Sequence, residues 1–405
     1  MVSIEQAQHA ILRRIKTLET EKVSVFEGLN RVTPVDHIAP WDIPPADNSA
    51  MDGYAFAFHT LTENRLRVAG FLPAGEVRTL PVPPGQAIKI MTGAPVPHDC
   101  DTIVPVEEVD EEGEWIRLKR QPKAGSHLRR RGEDISTGNV VVAAGALLRP
   151  QEIGMLSAMG KTTLDVFRRA RVAIISTGDE LLEPGSTPTT GKIINSNSYS
   201  LAAQIIDAGG APVMLGIAAD TLADTCEKIR AGLYADMIVI SGGVSVGDRD
   251  FVKAAIEELG GEVEFWKVNM KPGKPLAFAL LDGKPVFALP GNPVAAMVSF
   301  EMFVRPCILK AMGNRGIFRP RVEAVIEERV DNDGPRPHLV RGLVSLRDNR
   351  LVVSTTGNQS SGRLTSLTQG NGLVRLAPES VVSAGDRVEV LLLDRSFEMG
   401  KEMVS

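Results

Sequence analysis

Cysteine is nearly absent from this chain of 405 residues: Cys100, Cys226 and Cys307 stand far apart, outside any CxxC or Cys/His pattern. That excludes a disulfide framework and a thiolate metal site, and predicts three reduced packing residues. No apolar run approaches a membrane span, and the opening MVSIEQAQHAILRRI is amphipathic, without the apolar centre of a secretory leader. We therefore expect a cytoplasmic protein with no membrane association. Neither sign of charge dominates; a formal net charge of −5 makes no electrostatic case for binding nucleic acid. The one basic stripe, over residues 117–131, reads as a solvated β-ribbon face. Also missing are GxxxxGK[ST] and GxGxxG at any helix start, which removes P-loop and dinucleotide-binding roles.

What is present centres on ADMIVISGGVSVGDRDFV, residues 235–252. Residues 237–240 form an apolar run rich in β-branched side chains, suited to a strand covered on both faces. Ser241, Gly242, Gly243, Ser245 and Gly247 follow, with small side chains and open backbone N–H groups, the materials of an anion cradle at a strand's carboxyl end. Asp248 and Asp250 then start a helix. GVSVG also matches the GxSxG nucleophile elbow, but a serine hydrolase needs a downstream His, and only His338 qualifies.

Around this centre, residues 171–300 alternate strands and helices, the mark of a doubly wound α/β domain. Three strand tips carry carboxylates: Glu180 in STGDEL beside Thr177, Asp220 after APVMLGI, and Asp250. Ligands bind outside the carboxyl ends of such strands, so these acids should converge. FWKVNMKPGKP brings Lys267, Lys271 and Lys274 around a Pro-Gly turn, and LPGNPVA puts Asn292 at an N-cap with Pro293 at the first helical position, leaving backbone N–H groups for an anion. Lysines and a helix start beside carboxylates suggest phosphate with a divalent cation.

Before that domain come an opening helix of roughly four turns (Ile4, Ala7, Ile11, Ile15, Leu18) and a β-rich stretch, residues 66–133, resembling a small barrel or sandwich. Asp52 in NSAMDGYA, ahead of that stretch, and Thr92 in IMTGAPVP, within it, are compatible with plain turns. After it, from about Arg319, comes a compact β-barrel with a hairpin at LRDNRLVV and a hydroxyl-rich loop, TTGNQSSGRLTSL, holding Ser361.

STGDEL, SGGVSVGDRDF, KPGKP and LPGNPVA in one α/β domain, preceded by NSAMDGYA and IMTGAPVP, resemble the molybdopterin molybdenumtransferase (MoeA) family, which includes the gephyrin E domain. The resemblance spans nearly the whole chain. It implies an N-terminal linker domain (1–168) with an inserted β domain (about 48–133), a molybdopterin-binding α/β domain (169–316) and a C-terminal β-barrel (317–405). It further implies a homodimer that takes molybdate and adenylyl-molybdopterin and releases AMP with Mg2+, its substrate handed over by a molybdopterin adenylyltransferase. The family's functional positions then fall on Asp52, Thr92, Asp134, Glu180, Asp220, Asp250, Lys267, Lys271, Lys274 and Ser361, with Glu180, Asp220 and Asp250 as metal ligands. A receptor-clustering scaffold of gephyrin type is the alternative, but it needs an adenylyltransferase companion domain and linkers that this sequence lacks.

Overall fold

The computed structural model describes residues 1–244 and 251–393. At its centre lies a six-stranded sheet in the spatial order Ala211–Ala218, Arg171–Thr177, Met237–Ser241, Lys284–Leu289, Pro275–Leu281, Glu262–Lys267. The first four strands run parallel. Their apolar runs alternate between two cores. Val172, Ile174, Met237 and Val239 face the helices Ser196–Asp207 and Pro293–Ser299, while Ala173, Ile175, Ile238 and Ile240 face Leu222–Gly232 and Phe251–Glu258. The sheet is not wholly parallel, because Pro275–Leu281 pairs antiparallel with both neighbours. Residues 268–274 are too few for a crossover, so this connection closes as a hairpin.

The opening helix, Ile4–Arg14, is shorter than the apolar spacing predicts, about three turns rather than four. Lys310 Nζ takes the Leu12 carbonyl (2.7 Å) and the Leu18 amide donates to Ala311 (2.8 Å), so tertiary partners claim the groups that would extend it. Its buried face (Ile4, Ala7, Ile11) packs within the same chain, on the end of the α/β domain and on barrel residues Leu339, Leu373 and Leu391. The inserted domain is a single mixed six-stranded sheet, not a closed barrel. Its core is split over two faces, with Tyr54, Phe56 and Leu66 on one and Ala55, Ile88 and Ile103 on the other. On it, Arg117, Lys119 and Arg120 pair with Glu112, Asp110 and Glu108, so this part of the basic stripe is neutralised locally.

The C-terminal region closes a five-stranded barrel: Arg321–Ile326, Arg350–Thr355, His338–Arg347, Gly372–Leu376 and Arg387–Leu392. The expected hairpin turns at Asp348 and Asn349, whose φ values of 47° and 57° suit a tight two-residue turn. Cys100, Cys226 and Cys307 are free and buried; burial, with Asp99 and Asp101 nearby, pushes the Cys100 thiol up to about 12. None of the helices of the described residues is long and apolar enough to cross a membrane.

One ion pair ties the linker domain to the α/β sheet. Arg168 donates to both Asp236 oxygens (2.7 Å each), and the Arg171 amide adds a third bond at 2.8 Å. Burial pushes the Asp236 carboxyl up, but these donors outweigh it and hold it below its ordinary value. A depressed folded pKa gives stability that is present above the unfolded value, about 3.9, and lost as pH falls through the folded one. Asp236→Asn should therefore cost about 2 kcal/mol at pH 7 in urea denaturation. The gap to wild type should narrow below about pH 4; a gap independent of pH would refute this account.

Candidate active site

The sheet's strand order reverses direction between Arg171–Thr177 and Met237–Ser241, and in open α/β sheets such a switch point opens a crevice at the carboxyl ends. Here it holds a cleft of about 540 Å³, whose walls include Thr177, Glu180, Asn197, Asp220, Ser241 and Asn292. Gly242 and Gly243 complete the cradle, each with positive φ (95° and 63°). At Gly242 a Cβ would sit 2.7 Å from the Thr177 carbonyl oxygen, so only glycine lets the two turns lie side by side.

Glu180 and Asp220 both reach this cleft. The two tips brace each other: the Asp179 amide donates to Asp220 Oδ2 (3.3 Å) and the Asp220 amide to Asp179 Oδ1 (3.1 Å). Among the described residues no group of three His, Cys, Asp or Glu is gathered closely enough to hold a metal, and Asp250 and Ser245 lie outside the described residues. Two carboxylates on one wall are nonetheless an all-oxygen set of the kind magnesium prefers.

Asn292 is the N-cap and Pro293 the first helical residue, as expected, but the cap's side chain is engaged outside the helix. It caps nothing on its own helix; Asn292 Nδ2 donates to Ser361 Oγ (3.0 Å) and the Val294 amide to the Ser361 carbonyl (3.1 Å). The barrel's hydroxyl-rich loop thus docks on this helix and uses one of the amides predicted to be free. Beneath the loop lies Arg341, fully buried. It donates to Ser366 Oγ and the Ser360 carbonyl (3.2 Å each), its Nη1 has no partner among the described residues, none of which sets a carboxylate beside it, and burial pushes it down to about 10. Composition gave no hint of Arg341, since a strand arginine ordinarily faces water.

The lysines divide. Lys271 and Lys274 are exposed on the turn whose Pro275 enters the cleft wall, whereas Lys267 lines a separate hollow with Met1, Val2 and Trp266. Its strand is the sheet edge, which carries it away from the switch point. His338 is buried in a barrel strand, absent from the cleft lining, and burial holds it down at about 4. The hydrolase reading therefore finds no base.

Asp52, Thr92 and Asp134 are absent from this cleft. Asp52 Oδ1 accepts from the Thr92 amide and hydroxyl, both at 2.7 Å, and the hydroxyl followed by the amide holds the carboxyl below its ordinary range. NSAMDGYA and IMTGAPVP, 40 residues apart, therefore form one unit. Gly53 permits it, because a Cβ there would lie 2.2 Å from the Val104 carbonyl oxygen. Asp134 is exposed on a neighbouring loop tied to Asp47 and Asp42 through Arg130 and Arg131. Bonds from the Thr137 amide and hydroxyl, then Arg131, bring the Asp42 carboxyl down to about 2.

The most evident omission from the sequence reading is the start of helix Ser196–Asp207. Asn195 caps it through the Ser198 amide (3.2 Å), Ser176 Oγ bonds Asn195 Oδ1 (3.0 Å), and Asn197 reaches across the cleft floor. The run NSNS after two isoleucines was the available signal, a polar stretch in a domain whose other helix faces are apolar.

Comparison with known proteins agrees with this architecture. Family models for the MoeA N-terminal region (domain I and II), a probable molybdopterin binding domain, and the MoeA C-terminal region (domain IV) match residues 2–160, 173–310 and 323–393. Molybdopterin molybdenumtransferase 2 of Mycobacterium tuberculosis is 37% identical over 404 residues, covering 96% of this chain and 99% of the relative. The molybdopterin molybdenumtransferase of Haemophilus influenzae is 35% identical, covering 96% and 98%. The crystal structure of the molybdopterin biosynthesis MoeA protein from Pyrococcus horikoshii OT3 is 28% identical and superposes with a TM-score of 0.84, covering 97% of this chain and all of that one. With relatives this similar aligned end to end, the chain belongs to the molybdopterin molybdenumtransferase (MoeA) family.

Proposed function

We propose that this protein inserts molybdenum into adenylyl-molybdopterin, using molybdate and releasing AMP, as a cytoplasmic homodimer. Family membership makes it a transferase of molybdenum cofactor biosynthesis. The observation that carries the fuller reading is the switch-point cleft, where a glycine-rich anion cradle and two carboxylates share one space. The substrate's phosphates would lie against Thr177, Ser241, Gly242, Gly243 and Ser245, with Asn292 at the far wall. Molybdate would approach from the barrel side, held by Lys271, Lys274 and Ser361 over the uncompensated charge of Arg341. An adenylyltransferase would supply the substrate.

Charge decides what else is needed. Two dianions about 4 Å apart repel by roughly 16 kcal/mol at an effective dielectric of about 20, more than one lysine offsets. Glu180, Asp220 and Asp250 would hold Mg2+, which supplies charge neutralisation and polarises the phosphoanhydride. The cradle amides and lysines bind and orient the anions, and the carboxylates place the cation.

Purified protein with magnesium and molybdate should release AMP from adenylyl-molybdopterin, and excess chelator should abolish that release. Glu180→Gln or Asp250→Asn should lower turnover at least about a hundredfold, while substrate affinity falls less, because removing a carboxylate also relieves repulsion toward the phosphates. Full activity in chelator, or affinity lost in step with turnover, would refute the metal assignment.

Asp52, Thr92 and Asp134 lie away from the cleft in one chain, which supports a site completed by a second copy. Mixed dimers of Asp52→Ala and Asp250→Ala chains should then recover about a quarter to a half of wild-type activity, through one intact site per heterodimer. No recovery from verified heterodimers would refute sharing.

A further inference from the structure

We infer that Asn197 is a positioning residue that presets the Ser241 hydroxyl as a hydrogen-bond donor toward a phosphate in the cleft. The inference rests on the proposed substrate, and its geometry is confined to the cleft floor. Asn197 Nδ2 donates to Ser241 Oγ and to the Gly291 carbonyl, both at 2.8 Å. The Gly291 carbonyl can only accept, which fixes the amide with nitrogen inward, since the flipped amide would set two acceptors face to face. Ser241 Oγ, bound to the same nitrogen, must then accept as well. Its own hydrogen is left to point elsewhere, and among the described residues Ser241 Oγ donates to no group. Ser241 lines the cleft, so the cleft is where that hydrogen can be used.

Two further features support this assignment. Asn197 is nine-tenths buried, and its Oδ1 has no partner among the described residues. A buried unsatisfied acceptor is costly and is kept where the other half of the group has a task. The same nitrogen also ties the carboxyl end of Met237–Ser241 to the turn before Asn292, so one side chain sets the spacing between cradle and helix start. A donor hydroxyl suits phosphate oxygens, which only accept.

The test is a double-mutant cycle with Asn197→Ala and Ser241→Ala, read as KM and kcat for AMP release from adenylyl-molybdopterin and, independently of turnover, as calorimetric affinity for AMP. Each single change should weaken affinity about tenfold with kcat little altered, and the double variant should be no worse than either single one. Asn197→Asp, which removes the donor, should not rescue affinity. Additive losses, about a hundredfold in the double variant, or an Asn197→Ala effect confined to thermal stability, would overturn the inference. Wild-type protein that binds AMP yet fails to release it from adenylyl-molybdopterin would instead overturn the proposed reaction, leaving the AMP arm of the cycle to judge Asn197.

Discussion

The close approach of three turns at one sheet edge is the constraint on which the rest depends. Strands in a sheet lie about 4.8 Å apart, so turns leaving neighbouring strands collide unless their residues are small. Gly242 resolves the collision with Thr177, and on the other side even a Cβ built on Gly291 would meet the Gly242 Cα only at 3.7 Å, an ordinary contact. With backbone against backbone, amides and small hydroxyls are what remain to form the floor. A Cβ at Gly242 would part the turns and remove the cradle, whatever happened to the carboxylates.

The barrel belongs to this arrangement through charge. Between barrel and α/β domain, Glu301 is almost buried, yet it accepts from Arg319 (2.8 Å) and Gln204 (2.9 Å), and Arg319 also reaches Asp207 (2.9 Å). That junction is balanced within the chain. Arg341 is not: it is equally buried, without a carboxylate, under a loop whose Ser361 touches the helix start beside the cleft. An isolated buried cation is retained at considerable cost unless an anion arrives to meet it. The contrast between the two arginines separates a charge balanced within the chain from one that is not.

Much of this was legible in the sequence because periodicity and glycine placement report directly on backbone. The switch from β-rich stretches to alternating strands and helices located the α/β domain, and the runs around Val172 and Met237 suited strands covered on both faces. Harder to see were features set by tertiary partners. The opening helix stops early because Lys310, nearly 300 residues away, takes the Leu12 carbonyl in its last turn. Lys267 has the right neighbours in sequence but sits on an edge strand, and edges are not encoded in local pattern. Arg341 and Asn197 draw their meaning from burial, which composition cannot assign to a polar residue.

Asp52 limits what the N-terminal unit can contribute. Two donors from Thr92 converge on a single oxygen, and the resulting fall in pKa keeps the group ionised at neutral pH. An ionised carboxylate accepts hydrogen bonds and has no proton to give. Placed against a ligand carrying phosphates it would repel, unless it faced a donor on that ligand, an amine or a ring N–H. In the proposed shared site, the unit of Asp52 and Thr92 would suit the nitrogen-bearing end of a substrate and the cradle of Ser241, Gly242 and Gly243 its phosphates. A molecule with both ends would then satisfy the two surfaces at once, whereas inorganic anions would satisfy only the second.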